Sequence, residues 1–326
     1  MLTKSLVQLN MLRQRFLTKF CCREGLGVNP VRSSINGNGI TQPAIKHGSD
    51  EKASRNSISN GVEVLAVIPA RYGSTRFPAK VLAKDTGKFL IQHTYERACQ
   101  AKLPQKVIIA TDDKKVVAAA ESFGAECIMT SPDCASGTDR IAEAVAEINV
   151  DIVVNLQADE PEIDPANIDK VAQLLIDNPD CPMATLAADF QNTAQISDPN
   201  IVKVVVTSHE SRATSHEPAR AIYFSRSIIP YDRGKNGVGP VGNYLRHLGI
   251  YAYRKDFLLK ITALPQTPLE KIEKLEQLRA LENGFDILVG KVKHTCDGID
   301  TPEQYAGFVK RYKKATEQLK MKKENL

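Results

Sequence analysis

Residues 67–80 read Val67-Ile68-Pro69-Ala70-Arg71-Tyr72-Gly73-Ser74-Thr75-Arg76-Phe77-Pro78-Ala79-Lys80. An apolar strand predicted over 64–68 ends at a proline, and the loop that follows carries Arg71, Arg76 and Lys80. In open parallel sheets, ligands bind outside the carboxyl ends of the strands, where backbone N–H groups and fixed cations suit a polyphosphate. The run contains neither a Walker sequence nor G-x-G-x-x-G. An ordinary strand-to-helix loop with solvated basic residues is the alternative.

Around this loop, strand-like and helix-like segments alternate. Apolar runs predict strands over 64–68, 107–110, 126–129 and 152–156, and periodic segments predict helices over 89–101, 114–123, 138–148 and 166–176. This alternation predicts an α/β fold with a mostly parallel sheet and flanking helices. A smaller mixed α+β insertion is predicted after about 180, from short strands over 183–187, 202–206, 221–224 and 245–253. Helix 268–282, strand 287–292 and helix 302–319 follow.

Composition divides the chain into three parts. Residues 1–60 carry nine Lys or Arg against three Asp or Glu and are rich in Asn, Gly and Ser over 29–60, which predicts a disordered extension. Its basic amphipathic start is typical of an organelle transit peptide, a surface arm or an upstream start codon. Residues 61–312 are predicted to form a single domain, and 313–326 a basic C-terminal tail.

The overall composition excludes several classes of protein. With 42% hydrophobic and 25% charged residues in 326, the chain is typical of a globular protein. It has no run of about 18 apolar residues, so no stable membrane insertion is expected. Residues 61–309 carry 27 basic against 33 acidic residues, which argues against nucleic-acid binding. The seven cysteines have no C-x-x-C spacing, which predicts reduced thiols and a cytoplasmic protein.

A second predicted strand ends in carboxylates, in the run Val153-Val154-Asn155-Leu156-Gln157-Ala158-Asp159-Glu160-Pro161. Asp159 is therefore expected at the same sheet edge as the basic loop. A carboxylate beside a polyphosphate fits Mg²⁺, which binds one or two carboxylates together with phosphate oxygens and water. The alternative is that Asp159 caps a turn or helix before Pro161.

Two further segments begin helices. In Ser136-Gly137-Thr138-Asp139-Arg140, backbone groups at the Ser-Gly turn could hydrogen-bond the edge of a pyrimidine, while Ser136 or Thr138 caps the helix. In Gly298-Ile299-Asp300-Thr301-Pro302-Glu303, Asp300 could be the N-cap with Glu303 completing a capping box, or Thr301 could cap and leave Asp300 to bind a ligand.

The later strands place polar residues together. Strand alternation puts His247, Gly249 and Tyr251 on one face of the 245–253 strand, although a lone histidine is often structural. Arg226 is a candidate carboxylate clamp, because a guanidinium binds two oxygens at once. An apolar stripe on the predicted 268–282 helix indicates a core or subunit interface: Leu269, Ile272, Leu275, Leu278 and Leu281.

These motifs, in this order over about 62–310, resemble the 3-deoxy-manno-octulosonate (Kdo) cytidylyltransferase family. The resemblance implies a nucleotide-diphospho-sugar transferase-like α/β fold, usually a homodimer, with acceptor and dimer contacts at about 181–285. The implied reaction is CTP plus Kdo giving CMP-Kdo and diphosphate, for lipopolysaccharide biosynthesis.

The resemblance also implies a role for each matching residue. Catalytic roles fall to Arg71, Lys80, Asp159 and Asp300, of which Asp159 and Asp300 hold Mg²⁺. The nucleotide-binding residues are Pro69, Ala70, Arg71, Arg76, Lys80, Ser136, Gly137, Thr138 and Gln157. The sugar-binding residues are Ser225, Arg226, His247, Tyr251, Glu276 and Gln277.

The chain departs from the family pattern at three positions. Alanines 79 and 158 stand where the family has glycine, and Ala135 where it often has glutamine. If the glycine matched by Ala158 needs a positive φ or a close approach to the nucleotide, the Cβ there costs about 1 kcal/mol or more. A related acid sugar (8-amino-Kdo or a sialic acid) and a degenerate nucleotide-binding homologue are the alternatives, and the intact charged residues favour an enzyme.

Overall fold

The computed structural model describes residues 61–73, 76–207, 218–293, 295 and 297–324, so the predictions about residues 1–60 lie outside the described residues. Within them, the strands are β1 Val64–Ala70, β2 Lys106–Thr111, β3 Glu126–Met129, β4 Ile152–Asn155, β5 Met183–Asp189, β6 Lys203–Val206, β7 Ala219–Ser225, β8 Leu245–Arg254 and β9 Ile287–Val292. The helices are α1 Leu90–Ala98, α2 Lys114–Ser122, α3 Gly137–Val145, α4 Pro165–Asp177, α5 Thr193–Ser197, α6 Lys255–Thr262, α7 Pro268–Glu273, α8 Leu278–Glu282 and α9 Pro302–Glu324.

All these strands belong to one sheet, in the order β3-β2-β1-β4-β8-β5-β9-β7-β6. The pairs β3–β2, β2–β1 and β1–β4 are parallel, as the alternation of strands and helices predicts. The other half is mixed: β5–β9 is parallel, but β4–β8, β8–β5, β9–β7 and β7–β6 are antiparallel. The expectation of a mostly parallel sheet is therefore wrong, because the later strands are not all joined by the crossover helices that parallel neighbours require.

The later strands extend the main sheet instead of forming a separate insertion. Strand β8 inserts between β4 and β5, and β6 also pairs with β8 through Lys203–Arg246 and Val204–Leu245. Strands β8, β5, β9, β7 and β6 therefore close into a ring of pairings.

The side chains of strand β1 pack into two cores, one on each face of the sheet. Successive side chains of a strand point to opposite faces, so Val64, Ala66 and Ile68 pack in one core and Leu65 and Val67 in the other. Helix α4 covers the first face and α3 and α6 the second. Strand β1 lies between β2 and β4, so its carboxyl end is at the middle of the parallel half of the sheet.

The predicted helix over 268–282 is two short helices, α7 and α8, because Lys274 adopts the left-handed conformation with φ 55°. The predicted apolar stripe is consequently wrong as the face of one helix, although four of its five residues, Leu269, Leu275, Leu278 and Leu281, do pack in or against the second core. Leu275 and Leu278 are buried, but Ile272 is 77% exposed. Glu276 and Gln277 lie in the connection between the helices, not on a helix face.

Helix α9 continues through Glu324, so most of the predicted basic tail forms its last turns. No helix in the described ranges is both long and apolar enough to cross a bilayer. The described cysteines, Cys99, Cys127, Cys134 and Cys181, form no disulfide with one another.

Candidate active site

The loop after β1 brings its lysine to the two predicted metal ligands. Lys80 Nζ donates hydrogen bonds to Asp159 Oδ2 at 2.5 Å, to Asp300 Oδ1 at 3.0 Å and to the Ile299 carbonyl at 2.8 Å. Arg76 adds an ion pair with Asp300 Oδ2 at 3.1 Å. Two of the three predicted phosphate-binding cations, Lys80 and Arg76, therefore contact the predicted metal ligands.

The two acidic segments are also joined through their backbones. Asp159 follows β4 and Asp300 precedes α9, and Ile299 N donates to the Asp159 carbonyl at 2.9 Å. Asp159 is not the cap of the next helix, because Asp164 fills that position and accepts a hydrogen bond from Ala166 N. The Asp159 carboxylate is thus directed to Lys80.

Residues beside Asp300 cap helix α9. Thr301 Oγ1 accepts a hydrogen bond from Gln304 N at 3.3 Å. The Gln304 side chain in turn accepts from the backbone N–H groups of Asp300 and Thr301, at 2.7 and 3.0 Å. The capping box is thus Thr301 with Gln304, and the prediction of Glu303 in it is wrong. The Asp300 carboxylate pairs instead with Lys80 and Arg76.

The loop closes through an alanine in a strained conformation. Ala79 has φ 54° and ψ 24°, in the left-handed region that glycine adopts readily. Its N–H donates to the Tyr72 carbonyl at 3.2 Å. At the other side of the loop, Arg71 Nη2 donates to the Cys134 carbonyl at 3.0 Å. The basic loop is therefore tied to the segment that precedes α3.

A cavity of about 610 Å³, here the loop cavity, lies at the carboxyl end of β1. Its lining includes Pro69, Arg71, Gly73, Arg76, Lys80, Val81, Gly137, Gln157, Ala158 and Asp159. Most of the predicted nucleotide-binding residues are thus brought together. Ala70 is fully buried in β1 and is not among the lining residues.

A second cavity of about 420 Å³, here the β8 cavity, adjoins the first. Its lining includes Gly137, Thr138, Asn155, Gln157, Asn200, Ile201, Val202, Arg226, Arg246, His247, Gly249, Tyr251, Tyr253, Lys274, Leu275, Glu276 and Gln277. Because Gly137 and Gln157 line both cavities, molecules bound in the two would lie side by side.

The two roles predicted for the Ser136–Thr138 segment, helix cap and ligand contact, fall to different residues. Ser136 caps α3: its side chain accepts from Asp139 N, and Asp139 accepts from Ser136 N. Gly137 lies against Pro69, whose Cγ would be 3.4 Å from a Cβ at that glycine. Thr138 Oγ1 donates to Glu276 Oε2 at 2.6 Å. Gly137 and Thr138 line the cavities, whereas Ser136 is structural.

The predicted polar face of β8 lines its cavity as expected, with His247, Gly249 and Tyr251. His247 Nε2 lies 2.9 Å from Thr185 Oγ1, and burial lowers the pKa of His247 to about 3. The ring is therefore neutral at physiological pH. Gln157 Nε2 donates to the Gly249 carbonyl at 3.3 Å, which joins the strand to the end of β4.

Two buried polar atoms on the β8 cavity wall have no hydrogen-bond partner within the described part of the chain. They are Asn155 Oδ1 and Gln277 Nε2, on residues 2% and 4% exposed. An unmatched buried polar atom costs about 1–3 kcal/mol. One atom is an acceptor and the other is a donor, so each is able to hydrogen-bond a polar ligand in this cavity.

The two sugar-binding residues predicted at the end of β7, Ser225 and Arg226, have different environments. Arg226 lines the β8 cavity, with its Nε donating to the Glu273 carbonyl at 2.8 Å and Nη1 to the Pro199 carbonyl at 3.1 Å. Ser225 is buried, donates to Glu273 Oε1 at 2.5 Å and lies outside the cavity lining. Arg226 fits the predicted clamp, and Ser225 fits a supporting role.

The chain is similar to several known proteins. The cytidylyltransferase family model matches residues 65–287. A 3-deoxy-manno-octulosonate cytidylyltransferase of Solibacter usitatus is 49% identical over 241 residues, which cover 74% of this chain and 91% of that protein. The chain belongs to the 3-deoxy-manno-octulosonate cytidylyltransferase family. A relative of the same name from Syntrophotalea carbinolica is 46% identical over 74% of this chain and 95% of its own.

Solved structures give the same family and fold. The CMP:2-keto-3-deoxy-manno-octonic acid synthetase complexed with CTP has a TM-score of 0.70 and 41% identity, covering 78% of this chain and 99% of that one. A 4-diphosphocytidyl-2C-methyl-D-erythritol synthase of Anaerococcus prevotii shares the fold, with a TM-score of 0.52 at 12% identity over 79% and 99% of the two chains.

For this member of the cytidylyltransferase family, sequence reasoning missed several residues on or beside the cavities. Asn155, Arg246 and Tyr253 line the β8 cavity. Glu160, whose pKa burial and nearby Asp159 raise to about 8, contacts the space beside Gly249. Asn155 and Glu160 had a signal in the sequence, as an amide and a carboxylate at the end of an apolar run. The others depend on how β8 packs against β4.

Proposed function

We infer that this chain transfers the cytidylyl group of CTP to Kdo, giving CMP-Kdo and diphosphate. The observation that carries this inference is the single hydrogen-bonded group of Lys80, Asp159 and Asp300, at the loop cavity beside a second, polar cavity. The names of the relatives favour Kdo over 8-amino-Kdo and sialic acid. A degenerate homologue is not favoured, because the charged residues are intact and Lys80 contacts both Asp159 and Asp300.

The loop cavity suits the triphosphate. Arg71, Arg76 and Lys80 line it, and they would neutralise the charge that builds up on the phosphates as the bond to diphosphate breaks. The acceptor would lie in the β8 cavity, with a hydroxyl directed through the shared wall at Gly137 and Gln157 toward the α-phosphate. Catalysis then consists of placing the two substrates in line and stabilising charge.

The two carboxylates fit Mg²⁺. Asp159 and Asp300 already converge on one cationic atom, Lys80 Nζ, and Mg²⁺ binds one or two carboxylates plus phosphate oxygens and water. No cluster of three or more His, Cys, Asp or Glu able to hold a metal occurs in the described ranges, so a site completed by the nucleotide is the form that fits. When bound, Mg²⁺ would polarise the α-phosphate.

The polarity of the β8 cavity fits an acidic, hydroxylated acceptor. Arg226 offers a guanidinium for a carboxylate. Asn155 Oδ1 and Gln277 Nε2 are a buried acceptor and donor without partners among the described residues, and a hydroxyl between them would remove both penalties. His247 is neutral at physiological pH, so it adds no charge to this wall.

We further propose that the enzyme is a homodimer that works in the cytoplasm. Large apolar side chains at the β7 and α7 surface support the dimer: Ile222 is 57% exposed and Ile272 77%. Single exposed residues are common, so the decisive measurement is the mass in solution by light scattering. A monomer at micromolar concentration would contradict the dimer.

Diphosphate release tests the reaction directly. The purified chain is assayed with CTP and Mg²⁺ and with Kdo, 8-amino-Kdo or N-acetylneuraminate as acceptor. We expect release with Kdo to exceed release with the other sugars, to stop when Kdo is omitted, and to stop with a chelator until Mg²⁺ is restored. No release with Kdo, or release that does not need an acid sugar, would overturn the proposal.

A further inference from the structure

Lys203, at the start of β6, is an unusual lysine because its whole side chain is buried, with 0% exposure. Its ammonium donates three hydrogen bonds, all to backbone carbonyls: to Asp198 at 2.9 Å, Ile201 at 2.8 Å and Arg226 at 2.6 Å. The group therefore uses its full donor capacity. None of the described carboxylates forms an ion pair with it, although Asp198 and Glu273 act on it at longer range.

The three carbonyls belong to two walls of the β8 cavity. Asp198 and Ile201 are in the segment that supplies Asn200, Ile201 and Val202 to the lining, and Arg226, the candidate carboxylate clamp, directly follows β7. The ammonium is thus a fixed point between the segment and the clamp.

Other contacts reinforce the same connection. Arg226 Nη1 donates to the Pro199 carbonyl at 3.1 Å, and His247 N donates to the Val202 carbonyl at 2.9 Å. Without the lysine, the 198–201 carbonyls would face a buried space without a donor, which costs about 1–3 kcal/mol for each unmatched group. The segment would then shift, and the guanidinium bonded to it would shift too.

The charge of Lys203 has a second consequence. A buried cation without a carboxylate in contact raises the electrostatic potential around it, because few nearby solvent molecules screen it. Its carbonyl contact with Arg226 puts this charge directly behind the cavity wall. A carboxylate bound there would feel the two cations together, whereas a nucleotide in the loop cavity would not contact this wall.

We propose that Lys203 is the positioning residue for the acid-sugar side of the site: it holds Arg226 and the 198–201 segment in place and supplies positive potential for the acceptor carboxylate. This inference rests on the proposed function, since it assigns the acidic acceptor to the β8 cavity. The proposal predicts different effects on the two substrates, because none of the three carbonyls that Lys203 contacts belongs to a residue lining the loop cavity.

Steady-state kinetics of Lys203→Met tests the proposal, since methionine has similar length but neither charge nor donors. We expect the KM for Kdo to rise about tenfold or more, because one clamp contact is misplaced, while the KM for CTP stays within about twofold. The control is Lys255→Met. Lys255 Nζ also donates to a backbone carbonyl, that of Ile148 at 2.6 Å, but lies outside both cavities, so neither KM should change.

Lys203→Gln, which retains two donors and loses the charge, serves if the methionine variant does not fold. Its KM for Kdo should rise by about threefold or more, because the charge and one of the three donors are lost, while its KM for CTP stays within about twofold. An unchanged KM for Kdo in a folded variant, or an equal rise in both KM values, would overturn the proposal. Wild-type diphosphate release with Kdo is measured first, so failure of the proposed function shows in the wild type and failure of this inference only in the variants.

Discussion

Lys80 and Asp159, 79 positions apart in the chain, form a hydrogen bond of 2.5 Å between Nζ and Oδ2. Burial lowers the pKa of Lys80, but the charges and hydrogen bonds of Asp159 and Asp300 more than compensate, so its pKa is raised overall. The lysine therefore stays charged at physiological pH. It holds two carboxylates together that would otherwise repel each other, and it keeps them where a nucleotide phosphate would arrive.

We predict that Asp159→Asn and Asp300→Asn each lower kcat by about a hundredfold or more while the melting temperature changes little. Each change removes a charged oxygen that fits Mg²⁺, but neither side chain belongs to the apolar core. Turnover is measured at saturating CTP and Kdo with millimolar Mg²⁺. Asp189→Asn is the control, because Asp189 forms an exposed ion pair with Lys291 away from both cavities. Near wild-type turnover in either active-site variant would contradict the assignment.

Ala79→Gly should stabilise the protein by about 1 kcal/mol, because glycine adopts the left-handed region without the Cβ clash that alanine pays for. Chemical denaturation gives the change in the free energy of unfolding. The matched control is Ala83→Gly, where φ is an ordinary −60° and the same substitution should destabilise by about 0.5–1 kcal/mol. Equal losses at both positions would show that the conformation of Ala79 carries no strain.

The part of the site nearest the parallel strands could be predicted from the sequence. Arg71, Lys80 and Asp159 follow apolar strands, and the carboxyl ends of parallel neighbours share one sheet edge. A local pattern was enough there, because each strand is buried on both faces and reads as a continuous apolar run. The positive φ considered for the family glycine position at Ala158 is not found there, and the residue of this pair that adopts the left-handed conformation is Ala79.

The acceptor side could be predicted only in part. His247 and Tyr251 share a face by strand alternation, but the insertion of β8 between β4 and β5 is a long-range pairing that no local period encodes. Lys274, in the left-handed backbone conformation, ends α7 within the segment that the apolar spacing predicts as one helix. Lys203 carries no signal in the sequence, because its role depends on carbonyls from two distant segments.

The pair of unpartnered atoms on the β8 cavity wall gives a third prediction. Asn155→Ala and Gln277→Ala should each raise the KM for Kdo about tenfold, because each removes one hydrogen bond to a buried hydroxyl. If both bind the same hydroxyl, the double variant should lose less than the sum of the two free energies. Gln173→Ala is the control, since its side chain contacts Asp177 on the surface of α4. An unchanged KM in either single variant would mean that its amide does not contact the sugar.

Removing residues 1–60 should leave the melting temperature and turnover nearly unchanged. The described domain begins to make contacts at Val62, which packs on the first core, and Glu63 N donates to Asp151 Oδ2 at 2.8 Å. The composition of the deleted segment offers little apolar surface to a core. Removal of residues 1–66 is the comparison, because it cuts the buried strand β1 and should prevent folding. A large loss of stability on removing 1–60 alone would place the boundary elsewhere.

Nucleotide choice tests the base-binding end of the loop cavity. Gly137 packs against Pro69, and Arg71 bonds to the Cys134 carbonyl, so the Pro69–Arg71 turn and the start of α3 are neighbours on the wall of the loop cavity. Cytosine presents an N4 donor where uracil presents the O4 acceptor. If backbone carbonyls of the Pro69–Arg71 turn accept from N4, UTP leaves a buried acceptor facing another acceptor, at about 1–3 kcal/mol or roughly ten- to a hundredfold in kcat/KM. We therefore expect CTP to exceed UTP by that ratio, with ATP and GTP excluded by size. Measuring kcat/KM with all four nucleotides decides the matter, and equal use of CTP and UTP, or a preference for a purine, would mean that these carbonyls do not read N4.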